Sequence, residues 1–327
     1  MSIVKSEFAL ALNQVATERG IPVDEVLKSI EVAVLAAYRK EYPKEDVSKL
    51  KAIINPQTGE VKILKEEKDV TPPGFGRIAA QTAKQVIIQK IREAEKKTII
   101  SQYFSQVGEL IRGRIIRIDG RGNVFVDIGK TDAILPKEEQ IPNEKYTINQ
   151  SLVFLLKEII TDKLNNSKII LSRTNPLLIT NLFKREVPEV TNNTVKIMKV
   201  VRAPGERAKV AVYTEQKGVD PVGACVGQKG IRIQTITEEL GGQERIDIIQ
   251  WNKDLKIFLI SALSPAKVNK VEIDEKTKKA KVYVAEDQAP LAIGKGGVNV
   301  NLASQLTNFE IDIIQEKNQT SSPKEEK

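Results

Sequence analysis

Two stretches decide the reading. Gly227-Gln228-Lys229-Gly230 is followed by Ile246-Asp247-Ile248-Ile249-Gln250, and Gly294-Lys295-Gly296-Gly297 is followed by Ile311-Asp312-Ile313-Ile314-Gln315. The second motif starts 19 residues after the first glycine in one copy and 17 in the other. Upstream, Ala208-Lys209-Val210-Ala211-Val212 matches Ala280-Lys281-Val282-Tyr283-Val284. Three matches in the same order make an internal duplication, and the periodicities around them give each copy one order: helix, strand, strand, helix, Gly-x-x-Gly loop, helix, strand. In copy one these elements are expected at 177–184, 195–201, 209–214, 221–226, 231–240 and 245–250. In copy two they are expected at 256–263, 270–273, 281–284, 289–293, 298–306 and 310–315.

A Gly-x-x-Gly loop between two helices has a physical use. Without side chains, the glycines let backbone amides and the following helix N-terminus approach phosphates, and a loop lysine adds charge. A lone pair of glycines can merely turn a corner; two in the same αββααβ setting favour a nucleic-acid clamp.

Upstream, residues 108–175 change character. Gly108, Gly113, Gly120, Gly122 and Gly129 punctuate short β-rich runs, with strands expected at 110–118, 123–128, 152–160 and 168–172. Five or so short strands in this span indicate a small barrel. Alternation turns Val124, Val126 and Ile128 inward and Phe125 outward. Phe125, with Arg112, Arg114, Arg117 and Arg121, is either a stacking platform in a basic groove or a half-buried edge residue. Before the barrel, helical spacing runs from Phe8 through Leu12 and Val15 to a stop at Gly20. It resumes after Pro22 with Val26, Ile30, Val34 and Ala37. A hairpin is expected from 51–54 and 60–64 around Asn55-Pro56-Gln57-Thr58-Gly59, then a long helix from about 77 to 100. On that helix Arg77, Gln81 and Lys84 form a polar ridge, either solvated or a contact surface for a protein or nucleic acid.

Composition bounds the chemistry. The 327 residues contain no histidine, which removes a Ser-His-Asp triad, a Cys-His dyad and His-ligated zinc or haem. One cysteine, Cys225, precludes an internal disulfide or thiolate zinc cluster, and suits a reducing compartment. Lys+Arg number 51 and Asp+Glu 43, a net charge of +8, and no run of 18 uncharged apolar residues exists for a membrane span. No signal peptide is recognisable at the start, so a cytoplasmic protein is expected. The diffuse basic excess suits a polyanion partner, although residues 264–327 are neutral. Asp247 and Asp312 occupy matching places in separate modules, which speaks against a shared metal; Cys225 and Trp251 are expected to pack.

The duplicated segment resembles the KH module in its αββααβ form. The β-rich segment resembles the OB-type barrel named after ribosomal protein S-one, with Val126 to Gly129 (VDIG) in its middle and Ile169 to Thr174 (IILSRT) at its close. The chain as a whole resembles the NusA family of bacterial transcription termination/antitermination factors. Gly76 to Val86 (GRIAAQTAKQV), Asp220 to Gly227 (DPVGACVG), Glu244 to Ile248 (ERIDI), Ala292 to Lys295 (AIGK) and Asn301 to Ser304 (NLAS) carry the resemblance.

The resemblance implies a multidomain α+β chain. Residues 1–107 would form a helical, RNA polymerase-binding domain with a small hairpin, and 108–175 an OB-type barrel. Residues 176–263 and 264–316 would be two type II KH domains, and 317–327 a disordered tail. It implies RNA binding by Gly227, Gln228, Lys229, Gly230, Gly294, Lys295, Gly296, Gly297 and Asn301, with Arg232 and Asn299 facing the groove of the loops. The amides either read base edges or are ordinary surface polarity. Implied partners are core RNA polymerase and nascent single-stranded RNA, with other Nus-type antitermination factors admitted. A monomer without cofactor, metal or catalytic activity is expected. Some family members continue into acidic repeats that restrain RNA binding; ending at Lys327, this sequence is expected to lack that restraint. The alternative function is a general RNA chaperone or an RNA-processing accessory factor.

Overall fold

A computed structural model describes residues 8–10, 12–13, 22–43, 50–161 and 167–316, without the side chains of 94–97. Val15, Gly20 and the 317–327 tail lie outside the described residues. The chain folds as two compact units, Met1–Ser105 and Gln106–Lys327. No helix of the described residues is long and apolar enough to cross a membrane.

In the first unit, helix α1 (Val23–Glu41) buries Val26, Ile30, Val34 and Tyr38, one residue per turn. Asp24 and Glu25 in its first turn and Arg39 and Lys40 in its last match the helix dipole. Strands β1 (Leu50–Ile54) and β2 (Val61–Lys65) pair antiparallel. The Asn55 side chain accepts from the Gln57 and Thr58 amides to close the turn, and a short strand β3 (Lys68–Asp69) completes the sheet. Helix α2 (Phe75–Phe104) lays Phe75, Ala79, Ala83 and Ile87 on the same core as α1 and the hairpin. Tyr38 meets Phe75 edge-on at 5.3 Å.

The second unit begins with a closed barrel of β4 (Leu110–Ile118), β5 (Val124–Asp127), β6 (Asp132–Leu135), β7 (Ser151–Thr161) and β8 (Ser167–Ser172), in the order β4-β5-β6-β8-β7. The β6 strand had no expected position, because four residues starting with Asp132 and ending before Pro136 show too little alternation. Gly113 lets β4 close on β5: a Cβ there would lie 2.4 Å from Val126 Cγ1.

Copy one follows. Helix α3 (Pro176–Glu186) and a one-turn helix α4 (Pro188–Thr191) precede β9 (Lys196–Ala203) and β10 (Arg207–Tyr213). Helices α5 (Pro221–Val226) and α6 (Ile231–Glu239) flank the glycine loop, and β11 (Arg245–Gln250) ends the copy. Copy two repeats this with α7 (Leu255–Ala262), β12 (Lys270–Asp274), β13 (Lys279–Ala285), α8 (Ala289–Ile293), α9 (Val298–Thr307) and β14 (Glu310–Glu316). In both sheets the middle strand pairs antiparallel with the strand before it and parallel with the last strand. The register explains the repeated motifs. Lys209 pairs with Asp247 and Lys281 with Asp312, so the two matching segments of each copy lie side by side.

The modules share cores. Val153 and Leu155 of the barrel pack with Leu178, Leu182 and Val210 of copy one. Val201, Ala211 and Ile249, on the other face of that sheet, pack with Leu259, Leu302 and Leu306 of copy two. Buried ions reinforce both junctions. Fully buried Arg173 donates from Nε to Glu144 Oε2 at 2.8 Å, from Nη1 to the Val153 carbonyl at 2.6 Å and from Nη2 to the Glu239 carbonyl at 2.8 Å. Arg202 holds Glu244 with two bonds of 2.6 and 2.8 Å and donates to the Arg173 carbonyl at 2.7 Å. Lys209, also buried, donates to Asp247 and to the Ser264 carbonyl, at 3.1 and 3.0 Å.

Removing one member of a buried ion pair leaves the other uncompensated, which costs about 3–5 kcal/mol. Arg173→Met is therefore expected to lower stability by about that amount in urea unfolding followed at the single tryptophan, Trp251. A loss below about 1 kcal/mol would show that the junction does not depend on this cation.

Candidate nucleic-acid interface

The two glycine loops have the same backbone. Gly227 has φ 76° and ψ 174°, and Gly294 has φ 75° and ψ 169°. The third positions, Lys229 and Gly296, have φ 52° and 60°, and the fourth, Gly230 and Gly297, have φ 78° and 79°. Each loop closes one 3₁₀ turn, by the bonds Gly230 N to Gly227 O at 3.2 Å and Gly297 N to Gly294 O at 3.1 Å. These dihedrals suit glycine, and Lys229 adopts one of them with a side chain attached. Helices α6 and α9 then start from a left-handed glycine with no side-chain cap. The first amide of each helix donates back into its own loop, Ile231 N to the Gln228 carbonyl and Val298 N to the Lys295 carbonyl, at the positive end of the helix dipole.

Gln228, Lys229, Lys295 and Gly296 are exposed at the loop tips, and Asn301 is exposed on α9. Two residues expected in the groove turn away from it. Arg232 is half-buried and donates through Nη1 to Glu189 Oε2 at 2.9 Å and to the Ala224 carbonyl at 2.6 Å. Asn299 is fully buried, and its amide nitrogen donates to the carbonyls of Leu263, Leu291 and Ala292. The first turn of each helix has an inner side, and the fifth residue after the first glycine falls on it.

On the barrel, Arg112, Arg114 and Arg121 are exposed and Phe125 is half-buried. Simple alternation along β4 would send Arg117 to the face opposite Arg114. A bulge between Ile115 and Arg117 restores it to the outer face, opposite Phe125. Its guanidinium lies 3.6 Å from the Phe125 ring centroid, so one π face already carries a cation. Arg114 lies 3.4 Å from Asp127 and Arg112 3.9 Å from Glu239 of α6, which leaves Arg121, in the turn built on Asp119, the least engaged of the three. In the first unit Arg77, Gln81 and Lys84 are all exposed on α2.

The remaining candidates are structural. Cys225 is buried beneath the first loop, and burial pushes its thiol up to about 12, which keeps it an inert thiol at neutral pH. Trp251 stacks edge-on with Tyr213 at 5.1 Å. Asp247 is held by Arg207 and Lys209, while Asp312 is exposed. No group of three or more His, Cys, Asp or Glu that could hold a metal ion occurs among the described residues. Sequence pattern alone does not mark the interior ions Arg173, Arg202 and Lys209. The one available signal was a basic residue set among apolar ones, as in Ile169-Ile170-Leu171-Ser172-Arg173.

Family profiles match in three places: the NusA N-terminal domain over residues 7–73 and 64–97, the NusA-like first KH domain over 173–251, and the NusA-like second KH domain over 255–321. The transcription termination/antitermination protein NusA of Thermus thermophilus is 38% identical over 93% of this chain and 89% of its own length. The chain belongs to the NusA family. The Bacillus subtilis NusA is 37% identical over 96% of this chain and 92% of its own length. The Rickettsia conorii NusA is 35% identical over 98% of this chain and 70% of its own length. The two glycine loops thus lie within the segments matched to the NusA-like KH domains.

Lys229 offers a test of the first loop. A left-handed residue with a Cβ carries about 1 kcal/mol of strain. Lys229→Gly is expected to leave the melting temperature unchanged or slightly higher, yet to weaken binding of unpaired RNA about threefold through the lost cation. Unchanged RNA affinity would remove Lys229 from the interface.

Proposed function

Membership in the NusA family makes this chain a regulator of transcription elongation and termination, and we propose that it acts by holding nascent single-stranded RNA while docked on core RNA polymerase. The observation that carries the reading is the pair of glycine loops with one backbone geometry, each opening an uncapped helix N-terminus behind an exposed lysine. Phosphates suit that arrangement, and a KH module accommodates about four unpaired nucleotides. Lys229 sits third in one loop and Lys295 second in the other, so the cation meets the strand at a different point in each module.

In this reading residues 1–107 dock on polymerase, with the Arg77, Gln81 and Lys84 ridge as the contact. Residues 108–175 are an OB-type barrel of the S-one kind, contributing Arg112, Arg114, Arg121 and the Arg117-capped Phe125. Residues 176–263 and 264–316 are type II KH modules, with helix Leu255–Ala262 at the seam packing into the second core. The protein works as a cytoplasmic monomer and supplies no bond-making chemistry of its own. RNA held by the modules is withheld from hairpin formation or presented for it, which is how a binding protein alters pausing and release.

One pair of variants separates the two surfaces. Gln228→Asp/Lys229→Asp combined with Lys295→Asp/Gly296→Asp is expected to weaken unpaired RNA binding by about a hundredfold while retaining polymerase. Arg77→Glu/Lys84→Glu is expected to lose polymerase in co-purification while retaining RNA. Full RNA affinity in the folded loop variant would refute the clamp, and full polymerase retention in the ridge variant would refute the docking face.

A further inference from the structure

Arg232 and Asn299 occupy the same place in the two copies, five residues after the first glycine of each loop. Both reach backwards. Arg232 donates to the carbonyl of Ala224, and Asn299 to that of Leu291, each carbonyl lying three residues before its loop's first glycine. Asn299 adds bonds to the Ala292 and Leu263 carbonyls. Ala224, Leu291 and Ala292 lie at the ends of α5 and α8, where carbonyls lack partners within the helix. The side chains also back directly onto the first glycine: a Cβ on Gly227 would lie 2.7 Å from Arg232 Cγ, and one on Gly294 would lie 2.8 Å from Asn299 Cβ. Each residue therefore ties the helix after the loop to the helix before it.

The two clasps use different chemistry. In copy one the clasp is an ion pair, since Glu189 of α4 holds the guanidinium at 2.9 Å. In copy two it is a buried amide spent entirely on donation, because Asn299 Oδ1 accepts no hydrogen bond from any described residue. Both present N–H donors to the helix-end carbonyls, which is what those carbonyls require.

We propose that Arg232 and Asn299 are positioning residues, which act on RNA by holding the glycine loops in their left-handed conformation from behind and do not touch the strand. The proposal rests on the reading of the loops as RNA clamps. It gives Glu189, far from either loop in sequence, a part in RNA affinity through Arg232.

Glu189→Gln separates a clasp from a phosphate ligand by sign. If Arg232 gripped phosphate, removing the carboxylate that competes for it would tighten RNA binding. A clasp loses its anchor and loosens. Binding of an unpaired oligonucleotide to the full chain is measured over a series of salt concentrations, with the melting temperature as a check on folding. Glu189→Gln is expected to weaken binding about threefold and Arg232→Gln about tenfold. Both are expected to keep the wild-type salt slope, whereas losing a phosphate contact would flatten it by about 0.7. Tighter or unchanged binding in Glu189→Gln, or a flattened slope in Arg232→Gln, overturns the proposal. The Gln228→Asp/Lys229→Asp variant is run alongside: if it binds RNA normally, the clamp reading itself has failed, and if it binds weakly, a contrary Glu189→Gln result counts against the clasp alone.

Discussion

The guanidinium of Arg173 is fully buried where the barrel's last strand hands the chain to the first repeat, and the second unit is organised around it. A buried cation is tolerated only when its donors are satisfied and its charge is met. Here the Glu144 carboxylate and the Val153 carbonyl come from the barrel side, and the Glu239 carbonyl from the end of α6. The carbonyl of Arg173 in turn accepts from Arg202, which holds Glu244. Barrel and first repeat are thereby stitched through three consecutive polar contacts whose geometry cannot slide without stranding a charge. The apolar groups around them could repack at little loss, so the ions specify the alignment that the cores stabilise.

The second seam follows the same logic with a lysine. Lys209 lies in the middle of a central strand, faces the second repeat and meets Asp247 and the Ser264 carbonyl. Lys281 and Asp312 repeat that pair in the second sheet, but there the face is open and both side chains are exposed. The duplication thus preserved a docking pair, and only the first copy uses it to hold a neighbour. Lys199 adds a link, donating to the Gln305 carbonyl and to Asn308 Oδ1 at the end of α9. The helix that starts at the second glycine loop is in this way fixed against the sheet of the first module.

Much of this was legible in the sequence, and the exceptions share a cause. The repeat was visible because the matching segments are paired strands and the loop needs glycine where φ is positive, constraints that act on residue type directly. The barrel strands were visible by alternation, apart from the four-residue β6. Sequence places Arg117 near Phe125 but not over its ring, because a bulge reverses alternation along β4 and no residue type announces a bulge there. The resemblance places Arg232 and Asn299 in the groove because they open their helices; their carbonyl partners come from a preceding helix that sequence spacing does not place. The same holds for Arg173 and Arg202, whose partners are distant in the chain.

If the two glycine loops, fixed on one body, hold a single continuous strand, RNA length sets both affinity and stoichiometry. Titration calorimetry of the full chain with unpaired RNAs of increasing length tests this directly. An oligonucleotide of about four nucleotides should bind weakly with two per protein, and one long enough to cross both loops should bind one per protein and about a hundredfold tighter, as two linked contacts require. Two long strands per protein, with no gain over the short one, would rule out a strand shared by the two loops.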